Sequence, residues 1–298
     1  MRATLIQILQ RSGLVRRRDV RFIQRAVVDE QGAPVAGGAI LTLTEQGVRL
    51  QVRERWMVVR ALPAPVLMVH KPAGVVCSRT PDGGHVPVFE LVPARWAHLP
   101  WLAVGRLDAD TTGLLILTCD GGLVQRMTHP KRAVERHYVA GTAEPLSVQA
   151  LAHLRSGELV LRDGVNPRPS LVQPVAPPLE LDDMLSWTHV VLGEGRYHEV
   201  RRMLAAVGHR VERLHRFAFG PLALQEGAAA EATGSTQAHS VDEGDVLWVD
   251  ADGVRAVYAA VGMGAPPAIL VAEWEDGGEE EEEEYADETD AYEDEDDA

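Results

Sequence analysis

The pattern of apolar and polar positions along this chain predicts two short helices, a few strands and then a larger α+β region. Helical spacing comes first, in one stripe of Leu5, Ile6, Leu9 and Leu14 and a second of Val20, Ile23 and Val27. Residues 39–43 and 48–52 alternate between apolar and polar, as short strands do. From Val66 to about residue 262, short β-type runs alternate with few helices, which predicts a mixed or antiparallel sheet.

Two apolar runs in this larger region frame a polar loop that carries a carboxylate. Residues 101–104 lead into the loop, residues 114–117 leave it, and an Asp-Gly turn signal follows at Asp120. Between them stands Gly-Arg-Leu-Asp-Ala-Asp-Thr-Thr-Gly, which places Asp108 between two buried strands. A carboxylate on such rigid supports can serve an active site, although the same pattern also suits an ordinary connection between strands.

A second candidate segment runs from a strand through a glycine turn into a helix. Residues 190–192 end the strand, Gly193 and Gly195 make the turn, and an apolar stripe then defines a helix that Gly208 ends; the stripe is Val200, Met203, Leu204 and Val207. Arg201 and Arg202 lie off this stripe near the start of the helix, where the helix dipole is already positive. They suit a nearby anion, or they are two arginines that face solvent.

The domain organisation is predicted from these patterns and from the breaks between them. Residues 1–58 form a small basic module, residues 59–65 a stiff linker with two prolines, and residues 66–262 the main domain. A stretch of small and polar residues at about 226–240 predicts a flexible insertion, and residues 263–298 predict a disordered acidic tail.

Charge changes the picture only once it is divided along the chain. The net charge is −15, but 17 of the 44 acidic residues lie in residues 273–298, which hold no lysine or arginine. The remaining 27 acidic residues face 29 basic ones, of which only Lys71 and Lys131 are lysines. The body of the protein is therefore nearly neutral and rich in arginine, whose planar fork suits phosphates and bases.

Four segments in one order resemble the ribosomal pseudouridine synthases of the small-subunit synthase A type. They are Lys71–Gly74, the Asp108 loop, Glu135–Val139 and Glu194–Met203, and the continuation at residues 214–216 also fits. The resemblance covers about residues 66–224 and implies an α+β pseudouridine synthase domain with a mixed or antiparallel sheet. The arginine cluster and short helices of residues 1–58 resemble an S4 RNA-binding module. The module is degenerate, because the usual Gly-x-Val-x-Val-Asn-Gly run is replaced there.

The resemblance implies a role for each matching residue. Asp108 corresponds to the catalytic aspartate, Tyr138 to the tyrosine that packs on the target uracil, and Arg201 to the basic residue that pairs with the carboxylate and keeps it ionised. Candidate RNA contacts are Arg106, Arg196, Arg202 and Lys71 in the main domain and Arg16, Arg17 and Arg18 in the first module. The sequence departs from the family at Arg136, where lysine is common, and at Glu199, which replaces a common glutamine.

The resemblance thus implies an enzyme that isomerises a uridine of ribosomal RNA, most closely of the small subunit, to pseudouridine. It implies ribosomal RNA or a pre-ribosomal particle as the partner. The isomerisation needs no energy source or redox step, so no cofactor is expected, and the histidines show no metal-ligand spacing. We also expect a cytoplasmic protein without a membrane segment, because no apolar run approaches the ~20 residues that span a bilayer and the two cysteines form no CxxC pair. A monomer is expected as well. Three alternatives stay open: a large-subunit synthase of a sibling branch, a non-catalytic assembly factor, and a nucleoside hydrolase.

Overall fold

The computed structural model describes residues 1–11, 19–176, 184–224 and 237–275, and its strands and helices are bounded as follows. The strands are β1 Arg2–Thr4, β2 Val27–Val28, β3 Ile40–Thr42, β4 Val48–Val52, β5 Arg55–Pro63, β6 Val66–Lys71, β7 Val75–Val76, β8 Val86–Pro87, β9 Leu102–Ala103, β10 Thr111–Thr118, β11 Arg136–Thr142, β12 Leu171–Val175, β13 Ser186–Leu192, β14 Val211–Phe219, β15 Leu222–Leu224, β16 Gln237–His239, β17 Val246–Trp248 and β18 Ala268–Trp274. The α-helices are α1 Leu5–Arg11, α2 Val20–Ile23, α3 Ala94–Ala97, α4 Gly121–Thr128, α5 Val148–Arg155, α6 Glu199–Ala206 and α7 Ala251–Ala260.

The main domain is built on one large mixed sheet, as the sequence predicts. Its strands run in the order β12-β13-β11-β14-β10-β6-β17, with β9, β15 and β16 at its margins. Neighbouring strands on this path are antiparallel except β10 and β14, which are parallel. The central strands are apolar on both faces, and β6 is buried at all six positions, because helices cover the sheet on both sides.

Two separate apolar clusters fill the space between the sheet and these helices. On one face, Leu154 of α5 and Val200, Met203 and Leu204 of α6 pack on the strands. On the other, Leu123 of α4 and Val257 of α7 do the same. The predicted stripe of α6 is therefore confirmed, and Gly208 follows the helix with a φ of +89°. Helix α6 connects β13 to β14, and this places its first turn beside the central strands.

The N-terminal residues form a second, smaller core around an antiparallel sheet with the strand order β18-β5-β4-β2. Leu5, Ile8 and Leu9 of α1 pack there with Leu50 and Met57 of the sheet. The predicted helices and strands are present, although α1 ends at Arg11 and α2 spans only Val20–Ile23. Arg16, Arg17 and Arg18 lie outside the described residues, and the likeness to an S4 module stays a prediction.

Two predicted boundaries are wrong. The linker at residues 59–65 is largely strand, because β5 continues to Pro63 and only residues 64 and 65 separate it from β6. The predicted tail begins too early, because Ala268–Trp274 forms β18 and pairs with β5 along its length. Within the predicted insertion, residues 237–239 form β16, and residues 226–236 lie outside the described part, as do residues 276–298. Among the described helices, none is both long and apolar enough to span a bilayer.

Candidate active site

The Asp108 loop joins β9 to β10 and is fixed by hydrogen bonds from the elements around it. The backbone nitrogen of Gly74 donates to the Ala109 carbonyl at 2.8 Å, and the Thr111 nitrogen closes the turn on the Asp108 carbonyl at 3.1 Å. The Leu107 nitrogen donates to the sulfur of Cys77 at 3.4 Å. The loop that carries the carboxylate is therefore tied both to its own strand and to the turn that follows β6.

Lys71 supplies another tie, and this corrects its predicted role as an RNA contact. Its side chain is fully buried, and its ammonium group donates to the carbonyls of Pro72, Val75 and Ala109 at 2.9, 2.7 and 3.3 Å. The ammonium group of a lysine is normally exposed to solvent. A buried lysine whose ammonium group donates hydrogen bonds to three backbone carbonyls therefore has a structural role. Lys71 holds the Asp108 loop to β6 from beneath and does not reach the surface.

Burial lowers the pKa of Lys71 to about 8, while nearby groups including Asp110 and Asp108 oppose that shift. A base whose pKa is lower in the folded protein than in the unfolded chain binds fewer protons when folded, so stability rises with pH between the two values. We expect the unfolding free energy of the wild type, relative to Lys71→Met, to rise by about 2–3 kcal/mol between pH 8 and 10.5. Urea denaturation at several pH values measures this difference, and a constant offset between the two proteins would contradict it.

The Asp108 loop forms one wall of a cavity of about 360 Å³, a size that suits a nucleoside-sized ligand. Strands β10, β11 and β14, the glycine turn after β13 and the first turn of α6 complete it. Its lining residues are Gly105, Arg106, Leu107, Asp108, Thr111, Thr128, Arg136, Tyr138, Leu192, Gly195, Arg196, Tyr197, His198, Glu199, Val200, Leu214 and Arg216. The structure therefore brings together Asp108, Tyr138, Arg106 and Arg196 among the residues predicted from sequence.

Strand register explains how residues so distant in sequence meet. Thr111 of β10 lies opposite Leu214 of β14, and Tyr138 of β11 lies opposite Arg216 on the other side of the same strand. Three adjacent strands therefore present their side chains to one cavity. Tyr138 is 8% exposed, so its ring forms part of the cavity wall.

The nearest partner of Asp108 is a histidine that the sequence did not single out. The Nε2 atom of His198 lies 3.3 Å from Oδ1 of Asp108, whose side chain is one-third exposed. His198 has a φ of +48°, so it adopts the left-handed conformation, and it is the residue from which α6 begins. The sequence offers one signal for it, since it stands three residues after the Gly195 turn, directly before the helix that carries Arg201.

Arg201 is paired with a different carboxylate from the one predicted. Its Nη2 atom lies 2.9 Å from Oδ1 of Asp110, and its Nη1 donates to the Val211 carbonyl at 3.2 Å. Asp108 lines the cavity, whereas neither Asp110 nor Arg201 is among its lining residues. Arg201 also donates to Oγ1 of Thr111, a residue of the cavity lining, at 3.5 Å, so it contacts the loop beside the cavity and supports Asp108 through that loop.

Two buried arginines line the cavity, and the sequence analysis assigned no role to Arg216, although it lies in the matching segment at residues 214–216. Arg136 is 4% exposed and donates to the carbonyls of Val134 and Met127, while Arg216 is 1% exposed and donates through Nε to Leu114. Both guanidinium groups lie against the ring of Phe219, with Cζ 4.5 and 5.0 Å from its centroid. Burial lowers the pKa of Arg136, and the charge of Arg216 lowers it further. The sequence does offer one signal for Arg216, since an arginine inside the buried strand β14 is unusual and indicates a buried role.

Glu199 and Arg202 have structural partners. One oxygen of the buried Glu199 accepts from the Arg196 nitrogen at 2.8 Å, and burial raises the pKa of this carboxyl group. Arg202 does not line the cavity, since it pairs with Asp163 at 2.5 Å and donates to the Tyr197 carbonyl at 3.3 Å. Arginines 106, 136, 196 and 216 line the cavity with Asp108 and Glu199, and Arg196 pairs with Glu194 at 3.1 Å. Four arginines against three carboxylates leave an excess of positive charge, which suits a polyanion such as RNA. Among the described residues, no three potential metal-binding side chains cluster together.

Comparison with known proteins gives concordant matches. The family described as RNA pseudouridylate synthase matches residues 65–206. The ribosomal large subunit pseudouridine synthase B of Salmonella typhi is 33% identical over 235 residues, which cover 76% of this chain and 77% of that protein. The protein of the same name from Haemophilus influenzae is 38% identical over 162 residues, covering 54% of this chain and 43% of that protein. A solved structure titled crystal structure of pseudouridylate synthase has a TM-score of 0.52 and 25% identity, and the match covers 85% of this chain and 99% of that one.

Proposed function

Because the chain belongs to the RNA pseudouridylate synthase family, we propose that it converts a specific uridine of ribosomal RNA to pseudouridine, with Asp108 as the reacting carboxylate. The observation that carries this proposal is the position of Asp108 at a cationic cavity whose lining also includes Tyr138. The isomerisation breaks the bond between C1′ and N1, turns the uracil, and joins C1′ to C5. The carboxylate acts beside C1′ and C2′, as nucleophile or as base.

The cavity residues fit the steps that surround this reaction. A uridine must leave its stack to reach Asp108, at a cost of a few kcal/mol, and the ring of Tyr138 offsets that cost by packing on the uracil. Tyr138 is also placed to handle the proton that C5 loses. Arg106 and Arg196 line the cavity and suit the phosphates on either side of the target nucleotide.

We propose a uridine of the large-subunit RNA as the target, which is the sibling reading that the sequence left as an alternative. The sequence resemblance alone favoured the small subunit, whereas the relatives from Salmonella typhi and Escherichia coli are both named large-subunit synthase B and are each 33% identical to this chain over most of its length. The small-subunit reading is the competing outcome of the test.

Tritium release from transcripts labelled at C5 of uridine separates these readings, because forming the C1′–C5 bond expels that hydrogen. We expect the wild type to release tritium from large-subunit RNA or its assembly intermediates, and to release far less from small-subunit RNA under the same conditions. Release mainly from small-subunit RNA would reverse the choice of target. No release from either RNA, with intact binding, would favour a non-catalytic assembly factor.

A further inference from the structure

Tyr197 stands at the mouth of the cavity with its ring in solvent. It is 76% exposed, and it is the only exposed tyrosine, phenylalanine or tryptophan among the side chains whose surroundings the structure describes. A single exposed ring on a protein surface needs no explanation, but Tyr197 also lines the cavity that holds Asp108, so its ring lies where a ligand of that cavity would meet it. A flat ring offers most to another flat group, and every nucleobase has such a face.

The ring of Tyr197 stacks on the ring of His198, which in turn contacts Asp108. It lies on the imidazole of His198, with ring centroids 3.8 Å apart and planes 16° from parallel. That imidazole is in turn 3.3 Å from Asp108. The left-handed backbone of His198, with φ +48° and ψ +34°, accompanies this side-by-side placement of consecutive rings and is uncommon for a residue with a Cβ. Tyr197 is thus connected to the reacting carboxylate through one intervening ring.

The backbone beneath this pair is held from two sides. Arg202 donates to the Tyr197 carbonyl and also pairs with Asp163. On the other side, Glu199 accepts from the nitrogen of Arg196. The backbone of Tyr197 is therefore held in place at the mouth of the cavity, while its ring remains open to solvent.

We propose that Tyr197 is the stacking platform for a base that flanks the target uridine, a proposal that rests on the proposed function. When the uridine enters the cavity, each neighbouring base loses one stacking partner, and the open face of Tyr197 replaces it for one of them. Stacking on that face also holds His198 against Asp108. Tyr197 is therefore a positioning residue, and it couples recognition of the flanking base to the orientation of the carboxylate.

A cycle of paired changes in protein and RNA tests the platform. The probe is the ribosomal RNA fragment that supports tritium release, with an abasic site placed on the 5′ or the 3′ side of the modified uridine. For the wild type, we expect the abasic site on one side to weaken binding roughly 5- to 100-fold. For Tyr197→Ala, the same abasic site should have almost no further effect, because the stacking partner is already missing.

Further variants separate stacking from general loss of surface. Tyr197→Trp should retain tight binding, and Val148→Ala serves as a matched control, because Val148 is 79% exposed and does not line the cavity. All three variants should melt within a few degrees of the wild type. At saturating RNA, Tyr197→Ala should also lower the single-turnover rate of tritium release by roughly 10-fold, whereas Tyr197→Trp should restore it.

The two proposals fail in different ways. Suppose that the wild type releases tritium, but that the losses of RNA affinity from the abasic site and from Tyr197→Ala multiply independently, whether the abasic site is 5′ or 3′ of the uridine. The stacking platform is then overturned and the proposed function stands. If Tyr197→Ala binds and turns over as the wild type does, the platform is overturned as well. If the wild type releases no tritium from any ribosomal RNA, both proposals are overturned together.

Discussion

Replacing Asp108 by asparagine should lower the single-turnover rate of uridine isomerisation by on the order of 10⁴-fold, while leaving the affinity for RNA within a few-fold. The amide is nearly isosteric with the carboxylate, but it is neutral and can serve neither as nucleophile nor as base. The fold should persist, because the loop is held by backbone bonds from Gly74 and Thr111 and by Lys71, not by the Asp108 side chain. Tritium release at saturating RNA, with RNA affinity and melting temperature beside it, measures all three quantities.

The chain provides a matched control two residues away. Asp110→Asn removes the other carboxylate of the same loop, which pairs with Arg201. That change removes the ion pair of Arg201, which keeps its hydrogen bond to the Val211 carbonyl, and loosens the loop. We therefore expect a fall in rate of less than about 30-fold, because positioning effects are smaller than the loss of a reacting group. An equal loss of rate at the two positions, or a larger loss at Asp110, would contradict the assignment of Asp108 as the reacting carboxylate.

Gly113→Ala should lower the unfolding free energy by more than about 3 kcal/mol and abolish activity with it. Gly113 lies in β10 directly opposite Arg216 of the parallel strand β14 and has a φ of +103°. A methyl group there would lie 2.8 Å from the backbone nitrogen and carbonyl carbon of Arg216 and would overlap its carbonyl oxygen. These are backbone atoms, so the two strands must separate between Asp108 and the back of the cavity.

Gly208→Ala separates this clash from the cost of the backbone conformation. Gly208 also has a positive φ, +89°, but a methyl group on it would meet no atom within 4 Å. It should therefore lower the unfolding free energy by only about 1 kcal/mol. Urea denaturation of both variants gives the comparison, and similar losses for the two would mean that the approach of β10 to β14 tolerates a side chain.

The sequence predicted those features that depend on local patterns. The apolar stripe of α6, the buried runs of β6 and β10 and the loop that presents Asp108 are all found where the residues indicate them. Local periodicity determines which face of an element is buried, so it is visible in one chain without knowledge of the partner. The order of the four motifs then led to the family.

The features that the sequence did not predict depend on contacts between distant segments. Strand β18 pairs with β5 some two hundred residues earlier, so the local pattern at residues 269–272 does not distinguish a strand from part of the tail predicted at 263–298. The pairing of Arg201 with Asp110, and not with Asp108, depends on how the folded loop lies against α6, which the spacing of the two carboxylates does not show. The burial of Lys71 and the role of Arg216 follow from which strands lie beside theirs, and spacing along the chain does not encode that.

The most direct test of the account is nucleoside analysis of large-subunit ribosomal RNA, or its assembly intermediates, after incubation with the wild-type protein. We predict that pseudouridine appears in the digest as uridine disappears, one for one, with unchanged RNA mass and no free uracil, and that Asp108→Asn forms none. Release of free uracil would mean that the cavity hydrolyses the glycosidic bond, and RNA that is bound but yields no pseudouridine would contradict the proposed catalysis.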